Sequence, residues 1–154
     1  MANITHQDVM QLTASPEKVR RFLRDPERIA DYYPALIEYG NFEEGKTYWC
    51  CGEVGVALFE IIEECCTDTR VTMRISTSLS AEKPYTIAGI KAAIFISMIE
   101  EWNVIPKNGG CEITKTWLDV ELHQMKDLPI ADMIRETAEE EHSKIVNAWN
   151  KAAS

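Results

Sequence analysis

The sequence lacks the features that would place the chain in a membrane or on a nucleic acid. Its longest nearly uncharged run, YTIAGIKAAIFISMI, is shorter than a bilayer span and contains Lys91. The start, MANITHQDVM, has neither the basic residues nor the apolar stretch of a secretory signal. The net charge of −9 disfavours binding to nucleic acids and to anionic lipids. The sequence therefore predicts a cytoplasmic protein with no nucleic-acid partner and no membrane insertion.

The common motifs of enzymes and metal sites are also lacking. The chain has no glycine-rich phosphate loop, no G-x-S-x-G and no H-E-x-x-H motif. Its cysteines number five, and an odd count without a signal indicates reduced thiols. Cys50-Cys51 and Cys65-Cys66 lack C-x₂-C spacing, and neighbours on a strand point to opposite faces. We therefore predict no metal and no cofactor, which leaves catalysis by cavity shape and a few polar groups open.

One phrase occurs twice after a first predicted strand, ITHQDVMQL, and indicates two short helices. In SPEK and DPER, Ser15 and Asp25 can each accept a hydrogen bond from the first helical turn. The proline that follows each of them suits the first helical position, and the glutamate favours the positive end of the helix dipole. Val19, Phe22 and Leu23 then recur at helical spacing. We predict two short helices that meet at a corner near Asp25.

Residues 36–123 are predicted to form about six strands. Turn signals fall at EEGK, CGEVG, CTDTR and PKNGG, and the last of these is typical of a tight hairpin. In RVTMRISTS, apolar and polar residues alternate, so one face of the sheet is buried and the other is wet, as in antiparallel sheets. The segment 79–93 is compatible with a loop carrying a short helix or with an early start of the next strand.

The final segment, 128–152, is predicted to be a long amphipathic helix. Its apolar face consists of Ile130, Met133, Ile134, Thr137, Ala138, Ile145, Ala148 and Trp149. The apolar face of the sheet needs cover, and this is the long amphipathic element available. We therefore predict a single domain over 1–154 of the α+β class. In it, a curved antiparallel sheet of six to seven strands wraps around the long C-terminal helix, and the helix pair closes one end.

This order of elements resembles a known superfamily. ASPEKVRRFLRDPERIADYYP after the first strand, EWNVIPKNGGCEITKTWLDV in the last hairpin and the C-terminal helix look like START-related, birch-pollen-allergen-like (SRPBCC) proteins. Within that superfamily they look most like the polyketide cyclase/dehydrase-like branch. The resemblance covers essentially the whole chain. It implies a helix-grip fold with a deep apolar cavity that binds lipids, sterols, polyketides or similar molecules, and that in some members catalyses cyclisation or dehydration. Fold alone does not decide among these functions.

Glu141 is the candidate acid or base of the chain. Its position falls near the centre of the apolar stripe of the last helix, where a carboxylate is costly without a partner or water. One interpretation is a polar anchor or general acid/base with a raised pKa. The other is a glutamate that reaches solvent at the cavity's end or pairs with a sheet residue. His142 is interpreted as a boundary histidine, because adjacent residues on a helix do not face each other.

Apolar positions of the sheet and of the last helix are the candidate ligand-binding wall. They would line a cavity if one exists, and they would otherwise form a solid core. The candidates are Phe59, Ile61, Met73, Ile75, Met98, Trp102, Leu118, Val120, Met133 and Ile134, with Thr137 and Glu141 as polar members. Trp117 has the opposite parity to Leu118, so we predict that it lies outside the concave face, where it would suit a dimer contact.

Three functions are compatible with these observations. The first is binding of a hydrophobic small molecule such as a lipid or a polyketide by a monomer or homodimer. The second is a polyketide cyclase/aromatase or dehydratase, in which Glu141 moves protons with help from Thr137 or Tyr85. The third is a protein-interaction domain, which would have a filled core and an exposed apolar patch. In the first two, the segment 79–93 would suit a lid over the cavity.

Overall fold

The computed structural model of the protein describes residues 4–33 and 35–153, without the side chains of residues 4 and 151–153. The strands are β1 (Ile4–Leu12), β2 (Leu36–Glu43), β3 (Thr47–Gly52), β4 (Gly55–Ile61), β5 (Arg70–Ser78), β6 (Ile94–Lys107) and β7 (Gly110–Leu122). The helices are α1 (Pro16–Phe22), α2 (Pro26–Ile29), α3 (Ile87–Lys91) and α4 (Ile130–Ala153), with a 3₁₀ turn at Glu63–Cys65. The strands form one antiparallel, curved sheet in the order β1-β7-β6-β5-β4-β3-β2. The predicted helix-grip fold is confirmed.

The helix pair forms as the repeated phrase predicts. Ser15 Oγ accepts a hydrogen bond from the backbone N–H of Lys18 at 3.3 Å. Asp25 Oδ1 accepts one from the backbone N–H of Glu27 at 2.9 Å. Each cap satisfies a donor that the first helical turn leaves without a partner. The residues that this pair buries completely are Val19, Leu23 and Ile29. Because they join the core at one end of the sheet, α1 and α2 close that end.

The C-terminal half of α4 is fixed against the helix pair and β1. Ile145 and Trp149 are completely buried in the main core cluster. The indole Nε1 of Trp149 donates to the backbone carbonyl of Arg28 at 3.2 Å. Asn150 Oδ1 accepts from the backbone N–H of Thr13 at 2.9 Å, just beyond β1. This half of the helix is therefore packed on a solid core. No helix in the described part of the chain is both long and apolar enough to cross a membrane.

The segment after β5 lies on the outer face of the sheet and not over its concave face. Ile90 of α3 is completely buried and packs with Cys51, Val56 and Leu58. On β4, Val56 and Leu58 alternate with inward-facing Ala57, so α3 covers the opposite side of the sheet. The lid interpretation of 79–93 is corrected accordingly, because Ala81, Tyr85 and Ile90 cover the outer face, while Leu79 at the start of the segment lies at the edge of the cavity.

Candidate functional site

A cavity of about 330 Å³ lies between the sheet and the N-terminal half of α4. Its apolar wall comes from β4, β5, β6 and α4 and includes Ala57, Phe59, Ile75, Phe95, Ile96, Met98, Ile130 and Ile134. Large exposed apolar residues mark its mouth: Val54 in the β3–β4 turn is 76% exposed, and Leu79 and Met133 also face solvent. The volume lies at the lower end of the range for small-molecule sites.

The predicted ligand-binding residues divide between the cavity wall and the packed core. Those on the cavity wall are Phe59, Ile75, Met98, Met133, Ile134, Thr137 and Glu141. The others are not on that wall. Ile61, Met73 and Trp102 belong to the main core cluster, and Val120 packs beside Trp117. Leu118 is buried next to a strand irregularity. The binding role of the wall residues stays a prediction.

One extra residue in β7 changes which side chains face inward. Ser97 of β6 pairs with Glu121, but two residues later Ile99 pairs with Leu118, three residues back along β7. Asp119, within this interval, has a positive φ of 51°. A β-bulge of this kind shifts the alternation of side chains between the two faces.

Trp117 lies on the inner side of the sheet because of this bulge. It is 5% exposed, lines the cavity and packs with Ile134 and Ala138 of α4. Val120, three positions later, contacts the same cluster, which strict alternation does not allow. The prediction that Trp117 lies outside the concave face is therefore wrong.

Glu141 lies at the inner end of the cavity, paired with a lysine of the sheet. It lines the cavity on α4, one turn before the completely buried Ile145. Its Oε1 accepts a hydrogen bond from Nζ of Lys115 on β7, which is 4% exposed. A second carboxylate, Glu100 on β6, has its Oε2 3.9 Å from the same Nζ. These contacts agree with the interpretation in which Glu141 pairs with a sheet residue. The side chain of Glu141 also faces the cavity.

Glu100 is held by two indole groups. Nε1 of Trp102 donates to its Oε1 and Nε1 of Trp117 donates to its Oε2, each at 2.6 Å. Hydrogen bonds to an ionised acceptor are short and strong, so these two orient the carboxylate. The Lys115 ammonium lies over the rings of Trp117, Trp102 and Tyr32, with Nζ 4.6, 5.0 and 5.5 Å from the ring centroids. The aromatic faces stabilise the buried cation.

The buried cluster holds two carboxyl groups and one ammonium group. Burial raises the pKa of Glu141, and the nearby Lys115 only partly opposes this. Burial alone would lower the pKa of Lys115, but the charges of Glu141 and Glu100 outweigh it and raise that pKa. Tyr32 is 4% exposed, and burial raises its pKa well above the usual value. Its hydroxyl has no hydrogen-bond partner among the described residues.

The sequence contained a signal for Glu100 but not for Lys115. Glu100 has the same parity on β6 as Met98 and Trp102, which were both predicted to face inward, so alternation placed it among them. Lys115 was not among the sequence candidates; it shares parity with Trp117, so counting the alternation of β7 from Leu118, next to the bulge, would place it outside the concave face as well.

The other titratable candidates lie away from the cavity. His142 Nδ1 is 2.8 Å from Asp8 Oδ2 at the edge of α4, and His123 Nε2 is 2.8 Å from Ser97 Oγ. Cys50 and Cys51 face opposite sides of β3 and belong to different clusters. Within the described ranges, no group of His, Cys, Asp and Glu side chains is arranged to hold a metal ion.

Comparisons with known proteins find the fold among solved structures. A conserved protein from Geobacillus kaustophilus superposes with a TM-score of 0.69 at 12% identity, with 96% of each chain covered. Ara h 8.0201 gives 0.60 at 12% identity, covering 96% of this chain and 97% of the other. A START superfamily protein from Mycobacterium smegmatis gives 0.56 at 15% identity, with 96% and 95% covered. No family model and no curated protein matches the chain. At these identities the likeness concerns the fold, which is the START-related, birch-pollen-allergen-like fold.

Proposed function

We propose that the protein binds a small hydrophobic molecule in the cavity between the sheet and α4. The observation that carries this proposal is the cavity of about 330 Å³ with a mostly apolar wall and a mouth at the surface. Empty apolar volume costs stability, because its lining residues lose packing partners. A ligand that fills it restores those contacts and removes exposed apolar surface at the mouth from water.

Native mass spectrometry of the protein purified from its host tests the proposal, followed by extraction of any bound compound. We expect a mass increment from a small apolar molecule. A ligand-free mass alone would not decide the question, so a titration with the neutral fluorophore N-phenyl-1-naphthylamine accompanies it. An increase in fluorescence at a one-to-one stoichiometry supports the cavity as a binding site. A ligand-free mass together with no fluorescence response would contradict the proposal.

A matched pair of variants on α4 locates the binding. Thr137→Phe places a ring into the cavity that Thr137 lines, whereas Asn147→Phe adds the same ring at an exposed position of the same helix. We expect Thr137→Phe to abolish fluorophore binding and Asn147→Phe to leave it unchanged. Equal effects of both variants would show that the fluorophore binds elsewhere.

A polyketide cyclase or dehydratase activity is a second candidate, favoured by one observation. Glu141 faces the cavity, and burial raises its pKa, which is the direction of shift expected for a general acid. Thr137 lines the same cavity, but Tyr85 packs against Trp49 on the outer face and is removed from the candidate helpers. An enzyme would lose turnover of a bound polyketide in Glu141→Gln while retaining affinity for it. Unchanged turnover in that variant would contradict this candidate.

The protein-interaction alternative receives less support from the structure. It requires a filled interior, whereas the described residues leave a cavity next to α4. We therefore develop the ligand-binding proposal.

A further inference from the structure

We propose that the ligand is an apolar amine, bound as its ammonium form with the charged end between Glu141 and Tyr32 and the apolar body toward the mouth. This inference rests on the proposed function, because it specifies the ligand of the same cavity. Three observations carry it: the sign of the charges on the cavity wall, the incomplete pairing of its inner end, and a buried hydroxyl without a partner.

The charged residues on the cavity wall all have the same sign. They are Glu53 at the mouth and Glu100 and Glu141 at the inner end. Among the described residues, no lysine, arginine or histidine lines the cavity. A cationic ligand meets attractive charge from the mouth to the inner end, and the chain's net charge of −9 adds to this attraction.

Lys115 balances only one of the two negative charges at the inner end. It is behind the wall rather than on it, where Glu141, Glu100 and three aromatic rings surround it. Glu100 already accepts a hydrogen bond on each oxygen, from Trp102 and Trp117. Glu141 accepts from Lys115 on Oε1, and its side chain lines the cavity. The cavity therefore presents an acceptor with excess negative charge.

The hydroxyl of Tyr32 provides a second acceptor. Tyr32 lines the cavity and is 4% exposed, and its hydroxyl makes no hydrogen bond to the described residues. A buried polar group without a partner is costly, and a hydroxyl oxygen can accept from a ligand N–H. An ammonium group has three donors, which is enough for both of these residues of the cavity lining.

Other head groups fit this inner end less well. A fatty-acid carboxylate would lie next to two carboxyl groups of the same charge without a basic residue on the wall. An alcohol would supply one donor but would leave the excess charge unbalanced. Size limits the apolar body, because about 330 Å³ holds roughly ten groups of about 30 Å³, the volume per water in the liquid. Decyl compounds match this size.

The test compares decylamine, decan-1-ol and decanoate by isothermal titration calorimetry at neutral pH. We expect decylamine to bind at least about tenfold more tightly than decan-1-ol and decanoate to bind most weakly, since a hydrogen bond to a charged partner is worth about 10-fold or more. Glu141→Gln should abolish the preference for the amine over the alcohol. Tyr32→Phe removes only the hydroxyl. It should weaken the binding of decylamine by about 3-fold to 10-fold and change the affinity for decanoate by less than about twofold.

The outcomes separate the two proposals. Equal or tighter binding of decan-1-ol or decanoate would overturn the amine inference and leave hydrophobic binding standing. A preference for decylamine that survives in both variants would overturn the assignment of its head group to Glu141 and Tyr32. If none of the three compounds binds and N-phenyl-1-naphthylamine does not bind either, the proposed function itself fails. Circular dichroism of each variant checks that it is folded before it is titrated.

Discussion

Replacing Lys115 with methionine is expected to destabilise the protein strongly at neutral pH. Methionine keeps an unbranched apolar side chain of similar length, so the packing of the inner end is largely preserved. The variant removes the one ammonium group that pairs with both Glu141 and Glu100. Two carboxyl groups then remain buried together, and removing one partner of a buried ion pair typically costs about 3–5 kcal/mol.

Proton uptake limits this cost and makes it depend on pH. The unfolded chain holds a glutamate with the ordinary pKa of 4.5. Keeping that carboxyl protonated at pH 7 costs about 3.4 kcal/mol, because each pH unit above the pKa costs about 1.4 kcal/mol. The loss of unfolding free energy caused by Lys115→Met should therefore be about 2–3 kcal/mol smaller at pH 5 than at pH 7, because protonating Glu141 costs much less at pH 5.

Urea denaturation followed by tryptophan fluorescence at several pH values measures this prediction. The matched control is Lys115→Met/Glu141→Gln, which removes both charges of the closest pair. We expect it to recover at least half of the loss seen in Lys115→Met at pH 7. A loss below about 1 kcal/mol in the single variant, or a loss that does not change with pH, would refute the buried charge cluster as described.

Three further predictions concern the same elements. Folding raises the pKa of Glu141, so the stabilising contribution of this group is complete below about pH 4.5 and is lost as pH rises through the folded-state pKa. Urea titrations of the native protein and of Glu141→Gln measure this contribution. The unfolding free energy of the native protein minus that of the variant should fall over this pH window. Ser15→Ala and Asp25→Ala should each cost about 1 kcal/mol by urea denaturation, because each removes a helix cap, and a loss below about 0.3 kcal/mol would contradict the role of that cap. Each of the variants Trp117→Phe and Trp102→Phe should lower the unfolding free energy by at least about 1.5 kcal/mol, because each removes an indole donor from Glu100. Only Trp117→Phe should alter decylamine binding in calorimetry, because Trp117 lines the cavity.

The fold was predictable from the sequence because its local signals agree with one another. The caps at Ser15 and Asp25 define two helices, and both form hydrogen bonds in the structure. The apolar stripe predicted a helix over 128–152, and α4 covers Ile130–Ala153. A meander of antiparallel strands with one long helix has few layouts, so errors of one or two residues at element ends do not change the architecture.

The inner end of the site was less predictable, because it depends on strand parity and on packing over long distances. Asp119 is a residue that tolerates positive φ, but nothing local in TWLDVEL indicates that a bulge forms there. The bulge moves Trp117 and Lys115 inward relative to the parity counted from Leu118. The size of the cavity depends on where α4 stops packing on the core through residues such as Trp149, which meets Phe22, Tyr32 and Trp102, and no single segment of sequence specifies this.

Our proposal requires that the charge cluster serves ligand recognition rather than folding. Replacing a buried ion pair by apolar residues of similar volume is often neutral or stabilising, so the pair Lys115–Glu141 is not required for a stable core. It lies where the packed half of α4, with Ile145 and Trp149, gives way to the half that lines the cavity. If Lys115→Met/Glu141→Leu is about as stable as the native protein at neutral pH but no longer prefers decylamine over decan-1-ol, the charges serve recognition. If that variant instead loses several kcal/mol of unfolding free energy and keeps the amine preference, the cluster is part of the core and the ligand's polar end is recognised elsewhere on the wall.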